Sequence, residues 1–371
     1  MFGERFTSVA FSFTLFYNSR VKNSRCFSLT STLLLIGLLP LSGCNREQGD
    51  NASSESKDFY GASAYGIFNS FFSFSYNSTQ GSIDNEITSF LDKMDDLADP
   101  YNAVQGKSNL YTINNTHLPV KVDEDLFDLV KTSLELEEKT EGYFNPLIGA
   151  ISLEWKEILQ SQEEVLETDI KALEGRLPAL LEQMNASKLV LNEEDHSIQR
   201  VGDAKIDLGG LVKGYCVERV QRMVLNCGAT RYLINGGTSS LSLGKTKGGE
   251  SYRVSLRDSK TPKENYFSLH DVDTSTSGIY EQMIRVGETT YSHVINPKTG
   301  MAVSPFSMAL LVGQDSALLD AFSTSCMITG KEKAKEWSRT YSFSYSLYED
   351  DGGYTKLVEE SPDLTKARIS A

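Results

Sequence analysis

The chain has 371 residues and a formal net charge of −14, with 40% hydrophobic and 10% aromatic residues. That length and composition belong to a globular protein with a large core and exclude a disordered chain. The acidic balance argues against nucleic acid as a partner, because phosphates need a basic surface, and excludes a polybasic attachment to anionic lipid.

In chain order, Arg20, Lys22 and Arg25 precede an apolar run from Leu29 to Leu41, and Leu-Ser-Gly-Cys closes it at Leu41–Cys44. A basic stretch before a short apolar run reads as a secretory signal over residues 1–43, too short for an ordinary membrane span. Its end resembles a bacterial lipobox, which implies that Cys44 is lipidated and holds the protein on the extracytoplasmic face of the cell membrane. A plain signal peptide or a buried helix is the alternative. Residues 44–58 are polar and read as a flexible tether, so the folded body is expected over residues 59–371. Cys216, Cys227 and Cys326 remain, an odd number in apolar surroundings. They read as buried free thiols rather than a disulfide framework or a metal site.

Within the body, alternating aromatic and small polar residues predict a strand over Phe68–Tyr76. Apolar spacing predicts helices over Leu126–Glu138 and Leu173–Asn185, a hairpin over Lys188–Val201, and a helix from Leu211 that stops at Gly228. Strands are expected at Tyr232–Asn235, Ser239–Leu243, Tyr252–Leu256 and Tyr266–Leu269. Met308–Val312 has the pattern of a buried strand, and a helix over Ala317–Thr329 follows it. Ser342–Leu347 and Thr355–Val358 read as a terminal hairpin around Asp350–Gly353. Strands alternating with helices give an α/β or α+β body.

Three segments carry chemistry. Lys205–Val220 sets Asp207, the pair Gly209–Gly210 and Lys213 at a strand-to-helix junction. Glycines there let a backbone approach an anion, and free N–H groups at a helix start favour negative charge. The plain alternative is an ordinary turn with an exposed lysine. Asp320 and Thr324 are four apart, so on a helix they share a face and both reach one cation. Equally, Asp320 caps that helix and Thr324 packs beneath it. His293, in Tyr291–Gly300, titrates near neutral pH and can take a proton from an attacking hydroxyl, or serve as a hydrogen-bonded structural residue. Ser275–Gly278 reads as a hydroxyl-rich loop near phosphate, or as a turn before a strand.

These blocks keep a characteristic order: Ser89–Tyr101 and Ser108–Asn115, then Glu141–Trp155, Lys205–Val220, Thr276–Gly300 and Asp320–Thr324. In that order and spacing they resemble the ApbE family of FAD:protein FMN transferases, over roughly residues 60–350. The resemblance implies a single two-lobed domain of mixed sheets with a flavin cleft between the lobes. It implies a Mg2+-dependent reaction in which FAD is cut, FMN is attached to a threonine or serine of a partner protein, and AMP leaves. By residue, it implies magnesium ligation by Asp320, Thr324 and the Gly210 carbonyl. Flavin or FAD contacts are implied at Tyr101, Tyr143, Phe144, Asn145, Asp207, Lys213, Val294 and Ile295, with His293 as the catalytic base. Three departures stand out. Asn145 replaces the usual Asp, Thr238 replaces an acid after the pair Gly236–Gly237, and Ser323 stands where some relatives carry a second Asp. The same site fits two alternatives, a flavin-storage protein without turnover and an FAD pyrophosphatase.

Overall fold

The structure is a computed structural model that describes residues 58–237, 239–256, 266–302, 304–351 and 355–369. The expected signal at 1–43, the lipidated Cys44, the tether up to residue 57, Thr238 and the turn at 352–354 lie outside the described residues.

Eight strands form the main sheet, and their order across it is their order along the chain. They are β1 (Asp58–Tyr65), β2 (Phe71–Ser78), β3 (Tyr232–Gly236), β4 (Ser240–Leu243), β5 (Val272–Gly278), β6 (Met308–Gly313), β7 (Ser344–Asp350) and β8 (Thr355–Glu360). Every neighbouring pair is antiparallel. Two three-stranded sheets and the hairpin Met283–Val286 with Thr289–Ser292 complete an α+β architecture.

The longer helices are α1 (Asp84–Leu97), α2 (Glu124–Lys139), α3 (Gly149–Leu159), α4 (Glu167–Asn185), α5 (Val212–Asn226), α6 (Ser316–Thr329) and α7 (Lys331–Tyr341). Buried Ile87, Leu91, Met94 and Leu97 repeat at helical spacing on α1 and seat it on the core. By contrast α6 is buried nearly all round, through Ala317, Leu318, Leu319, Ala321, Phe322, Cys326 and Met327. It is wedged between α5 and the strands β5 and β6. Strand β6 is covered on both faces. Met308, Leu310 and Val312 belong to one core with Phe267 and Tyr348, while Ala309 and Leu311 belong to the larger core with α5 and α6. That double burial is why its sequence is an unbroken apolar run rather than an alternating one. Cys216, Cys227 and Cys326 are free and buried, as expected.

Two local expectations are corrected. Phe68 and Asn69 do not open a strand; they sit at φ 50° and 56° in a tight turn after Gly66, and β2 begins at Phe71. Asp95 Oδ1 accepts the Phe68 N–H at 2.6 Å and holds that turn in place. Ser275–Gly278 is not a loop but the second half of β5, paired with β4 and β6.

Candidate functional site

Helix α5 starts without a side-chain cap of its own. The first turn of any helix leaves N–H groups unpaired, and a carboxylate answers both their hydrogen-bonding need and the positive end of the dipole. Here that carboxylate comes from another helix: Asp320 Oδ2 accepts the Gly214 N–H at 2.6 Å. Helix α6 is capped instead by Asp315, which accepts from Leu318 N at 2.8 Å. The reading of Asp320 as the cap of its own helix is therefore wrong. Because Gly214 turns its N–H to Asp320, no backbone hydrogen bond among the described residues ends on the Gly210 carbonyl one turn earlier. Gly210 itself is exposed.

Asp320 is buried, and its other oxygen, Oδ1, accepts from Ser240 Oγ at 2.6 Å on β4 and from Ser275 Oγ at 2.7 Å on β5. Burial pushes its pKa up, while the Ser240 hydroxyl, the Lys213 charge, the Ser275 hydroxyl and the Gly214 amide pull it back down. Of the four lone-pair positions of a carboxylate, three are taken and one, on Oδ2, is left. Thr324 Oγ1 lies 2.9 Å from Ser277 Oγ, and Ser277 lies 2.7 Å from Ser323 Oγ. A carboxylate with one open position, a neutral hydroxyl and a backbone carbonyl without a donor are few, hard oxygen donors of the kind Mg2+ takes. Among the described residues no three His, Cys, Asp or Glu side chains cluster as a metal site.

Lys213 adjoins Gly214, and its charge lowers the pKa of both Asp320 and His293, so these three groups share one electrostatic neighbourhood. His293 keeps an exposed edge while protein crowds round the ring. The resulting desolvation, against the opposing pull of the Gln282 carbonyl and Glu281, holds its pKa below the ordinary value. Its Nδ1 approaches the Gln282 carbonyl at 3.4 Å.

The second group of expected residues is joined to the first by the chain itself. Asp207 N donates to Pro146 O at 2.9 Å and Gly149 N to Lys205 O at 2.9 Å, which lays the Tyr143–Asn145 segment beside the Asp207–Gly210 turn. Phe144 lies 3.8 Å from where a Cβ on Gly210 would be. Asp207 Oδ1 accepts its own Gly209 N–H at 2.8 Å, which shapes the turn. Tyr101 is partly exposed, with Lys156 Nζ 3.7 Å from its ring centroid. Desolvation, then the charges of Asp207 and Asp99, raise its pKa. Tyr143 meets the Trp337 ring edge-on at 6.3 Å. Asn145 is engaged internally: Nδ2 donates to Glu137 Oε1 at 2.7 Å and Oδ1 accepts from Leu147 N at 2.8 Å. An Asp there would face the Glu137 carboxylate, which accounts for the amide at this position. Val294 and Ile295, expected as flavin contacts, are buried in the larger core.

Sequence reasoning missed Asn114, which clamps the segment leading into Asp207 by giving to Ile206 O at 2.9 Å and taking from Ile206 N at 2.7 Å. It also missed Arg200, a buried cation bonded to the carbonyls of Ile113, Asn114 and Thr116 at the end of the short helix Leu110–Asn114. A signal that the sequence did hold is the alternation Ser240, Ser242 on β4 and Asp273, Ser275, Ser277 on β5, since residues two apart share a face.

That alternation places a second acid one rung along. Asp273 is fully buried; Gln221 Nε2 donates to its Oδ1 at 3.0 Å, while Oδ2 and the nearby Ser242 and Ser316 hydroxyls make no hydrogen bond of normal geometry. Burial pushes its pKa up to about 6, against the pull of Ser242 and Ser316. The folded protein thus keeps a proton that the unfolded chain releases near its ordinary 3.8, and stability falls as pH rises through that window. Asp273→Asn should remove this penalty and stabilise the fold by about 3 kcal/mol above pH 7, with no gain below pH 4. Urea unfolding at several pH values checks it; an equal effect at pH 4 and pH 8 counts against it.

Residues 68–345 match the ApbE family. The chain is 27% identical over 242 residues to the FAD:protein FMN transferase of Escherichia coli (strain K12), covering 63% of this chain and 67% of that protein. It is 24% identical over 266 residues to the FAD:protein FMN transferase of Chlamydia muridarum, covering 68% and 78%. Among solved structures, the flavin transferase ApbE from Vibrio cholerae superposes with a TM-score of 0.67 at 17% identity, over 84% of this chain and 99% of that one. The ApbE protein from Thermotoga maritima gives 0.68 at 18%, over 84% and 100%. At such identities the structural likeness speaks to the fold.

Proposed function

The chain belongs to the ApbE family, and on that premise we propose that it is a Mg2+-dependent FAD:protein FMN transferase, anchored by lipid outside the cytoplasmic membrane. The observation that carries the reading is the diversion of the Gly214 N–H to Asp320, which leaves the Gly210 carbonyl one turn earlier without a backbone donor among the described residues, while the Lys213 charge acts on the same Asp320. Gly210, Asp320 and Thr324 would hold the metal. Magnesium, when bound, offsets charge developing on the pyrophosphate oxygens. Lys213 presents its ammonium to phosphate, and the flavin lies in a cleft between the lobes against Tyr101, Tyr143, Phe144, Asn145 and Asp207. Neutral His293 takes the proton of a threonine or serine hydroxyl on an extracytoplasmic acceptor. The hydroxyl oxygen bonds to the FMN phosphorus, the phosphoanhydride bond breaks, and AMP leaves.

The test is incubation of the protein with FAD, Mg2+ and a threonine-containing acceptor. Transfer adds the mass of an FMN phosphoester to the acceptor and releases AMP. Release of free FMN and AMP with an unchanged acceptor indicates the pyrophosphatase instead, and bound, intact FAD indicates storage.

Lys213→Ala should weaken FAD about 10- to 150-fold, the loss of one charge-assisted hydrogen bond of roughly 1.5–3 kcal/mol, and leave riboflavin almost untouched. Equal losses for both ligands, measured by flavin fluorescence, would show that Lys213 does not read phosphate. Cys44→Ala should release the protein from membranes, since stable anchoring needs the acyl chains. Unchanged partitioning and mass would remove the lipoprotein reading.

A further inference from the structure

The hydroxyls around Asp320 form one unbroken chain: Thr324 Oγ1 to Ser277 Oγ at 2.9 Å, Ser277 to Ser323 at 2.7 Å, Ser323 to Ser275 at 3.1 Å, and Ser275 to Asp320 Oδ1 at 2.7 Å. Each hydroxyl has a single proton, so the chain can be directed only from its end. The Asp320 carboxylate receives three donors and acts as acceptor, so Ser275 gives its proton to Oδ1. Ser275 then has no proton left for Ser323, so in any hydrogen bond between the two Ser323 is the donor. Ser323 reaches two acceptors, Ser275 Oγ and the Asp320 carbonyl at 3.0 Å, and its proton goes to one or both. Ser277 is therefore the donor to Ser323, and Thr324 the donor to Ser277. The only proton of Thr324 is drawn inward, and its lone pairs face away from the chain.

We propose that Ser277 and Ser323 are positioning residues: the Thr324–Ser277–Ser323–Ser275–Asp320 relay fixes the proton direction so that Thr324 offers an electron pair to the cation beside Asp320. This rests on the transferase reading above. Neither serine touches the metal; each acts through Thr324. The relay also gives Ser323 a task at the position where some relatives carry an acid, for an acid there would place a second negative charge among Ser275, Ser277 and the Asp320 carbonyl.

The test is Mn2+ binding to the full chain in the presence of FAD, followed by electron paramagnetic resonance. Ser277→Ala and Ser323→Ala should each weaken Mn2+ about fivefold, the effect of one neutral hydrogen bond. Ser277→Thr, which restores the hydroxyl at a half-buried strand position, should recover wild-type affinity. Ser325→Ala is the control: Ser325 is buried on the same helix, but its hydroxyl donates to the Ala321 carbonyl at 2.8 Å, outside the relay, and its loss should leave Mn2+ unchanged. Wild-type affinity in Ser277→Ala and Ser323→Ala, or equal damage from Ser325→Ala, overturns the relay while leaving the transferase reading standing. A wild-type protein that takes up no Mn2+ removes the metal site, and the relay with it.

Discussion

Replacing Asp320 with asparagine is expected to cut FMN transfer about a thousandfold or more, the scale of the several kcal/mol that a catalytic cation supplies. Asparagine keeps the volume and leaves an oxygen for Ser240 and Ser275, but it removes the charge and turns an N–H2 toward the Gly214 N–H that Oδ2 accepts. Asp320→Ala is the blunter variant. It strands three buried donors at about 1–3 kcal/mol each and confuses lost folding with lost chemistry. Excess Mg2+ should recover part of the activity of Thr324→Ala, because water replaces a neutral hydroxyl ligand, and almost none of Asp320→Asn. Acceptor mass and AMP release, with thermal unfolding as the check on folding, measure both. Near-normal transfer by Asp320→Asn, or wild-type transfer that a chelator leaves untouched, would sink the magnesium mechanism.

The second large effect is expected at Gly214. A Cβ there would lie inside contact distance of the Ser316 carbonyl and 2.7 Å from Asp320 Cγ. Neither can yield cheaply: the first is backbone of α6, and the second is held by Ser240 and Ser275. Gly214→Ala should therefore pry α5 from α6 and cost about 3 kcal/mol, at the upper end of overpacking effects. It should also abolish Mn2+ binding, since Asp320 loses its seat. A denaturation midpoint within error of wild type would show that the two helices are not so closely engaged.

The sequence spoke most clearly where a pattern was apolar. The helices α2, α5 and α6 and the strands β3, β4 and β6 are close to their expected bounds, because periodic burial is what such patterns record. Through the order of the blocks it also singled out Asp320, Thr324, Lys213 and Asp207, of which the structure sets Asp320 in the electrostatic reach of Lys213 and joins it to Thr324 through serine hydroxyls. It was silent where burial is polar. Strand β5 reads Val-Asp-Thr-Ser-Thr-Ser-Gly and resembles a loop until Ser275 and Ser277 are seen to face α6. Phe68 and Asn69 deceived in the opposite sense, as aromatic alternation ran through a left-handed turn fixed by a distant Asp95. Asp320 was read as the possible cap of α6, a role that Asp315 fills at the position before Ser316, while Asp320 lies inside the helix and receives the Gly214 N–H of α5.

A helix buried nearly all round, as α6 is, has several almost equivalent seats against a sheet, since one turn of sliding exchanges one apolar residue for another. Hydrogen bonds to Ser240, Ser275 and Ser277 exist in one seat alone. Asp320 and Thr324 therefore act as a key that selects the register of α6, in addition to any chemistry they perform. A descendant of this protein that abandons catalysis would still be held to these two residues by the need to fold in a single way. Their retention in a chain is then no proof of turnover.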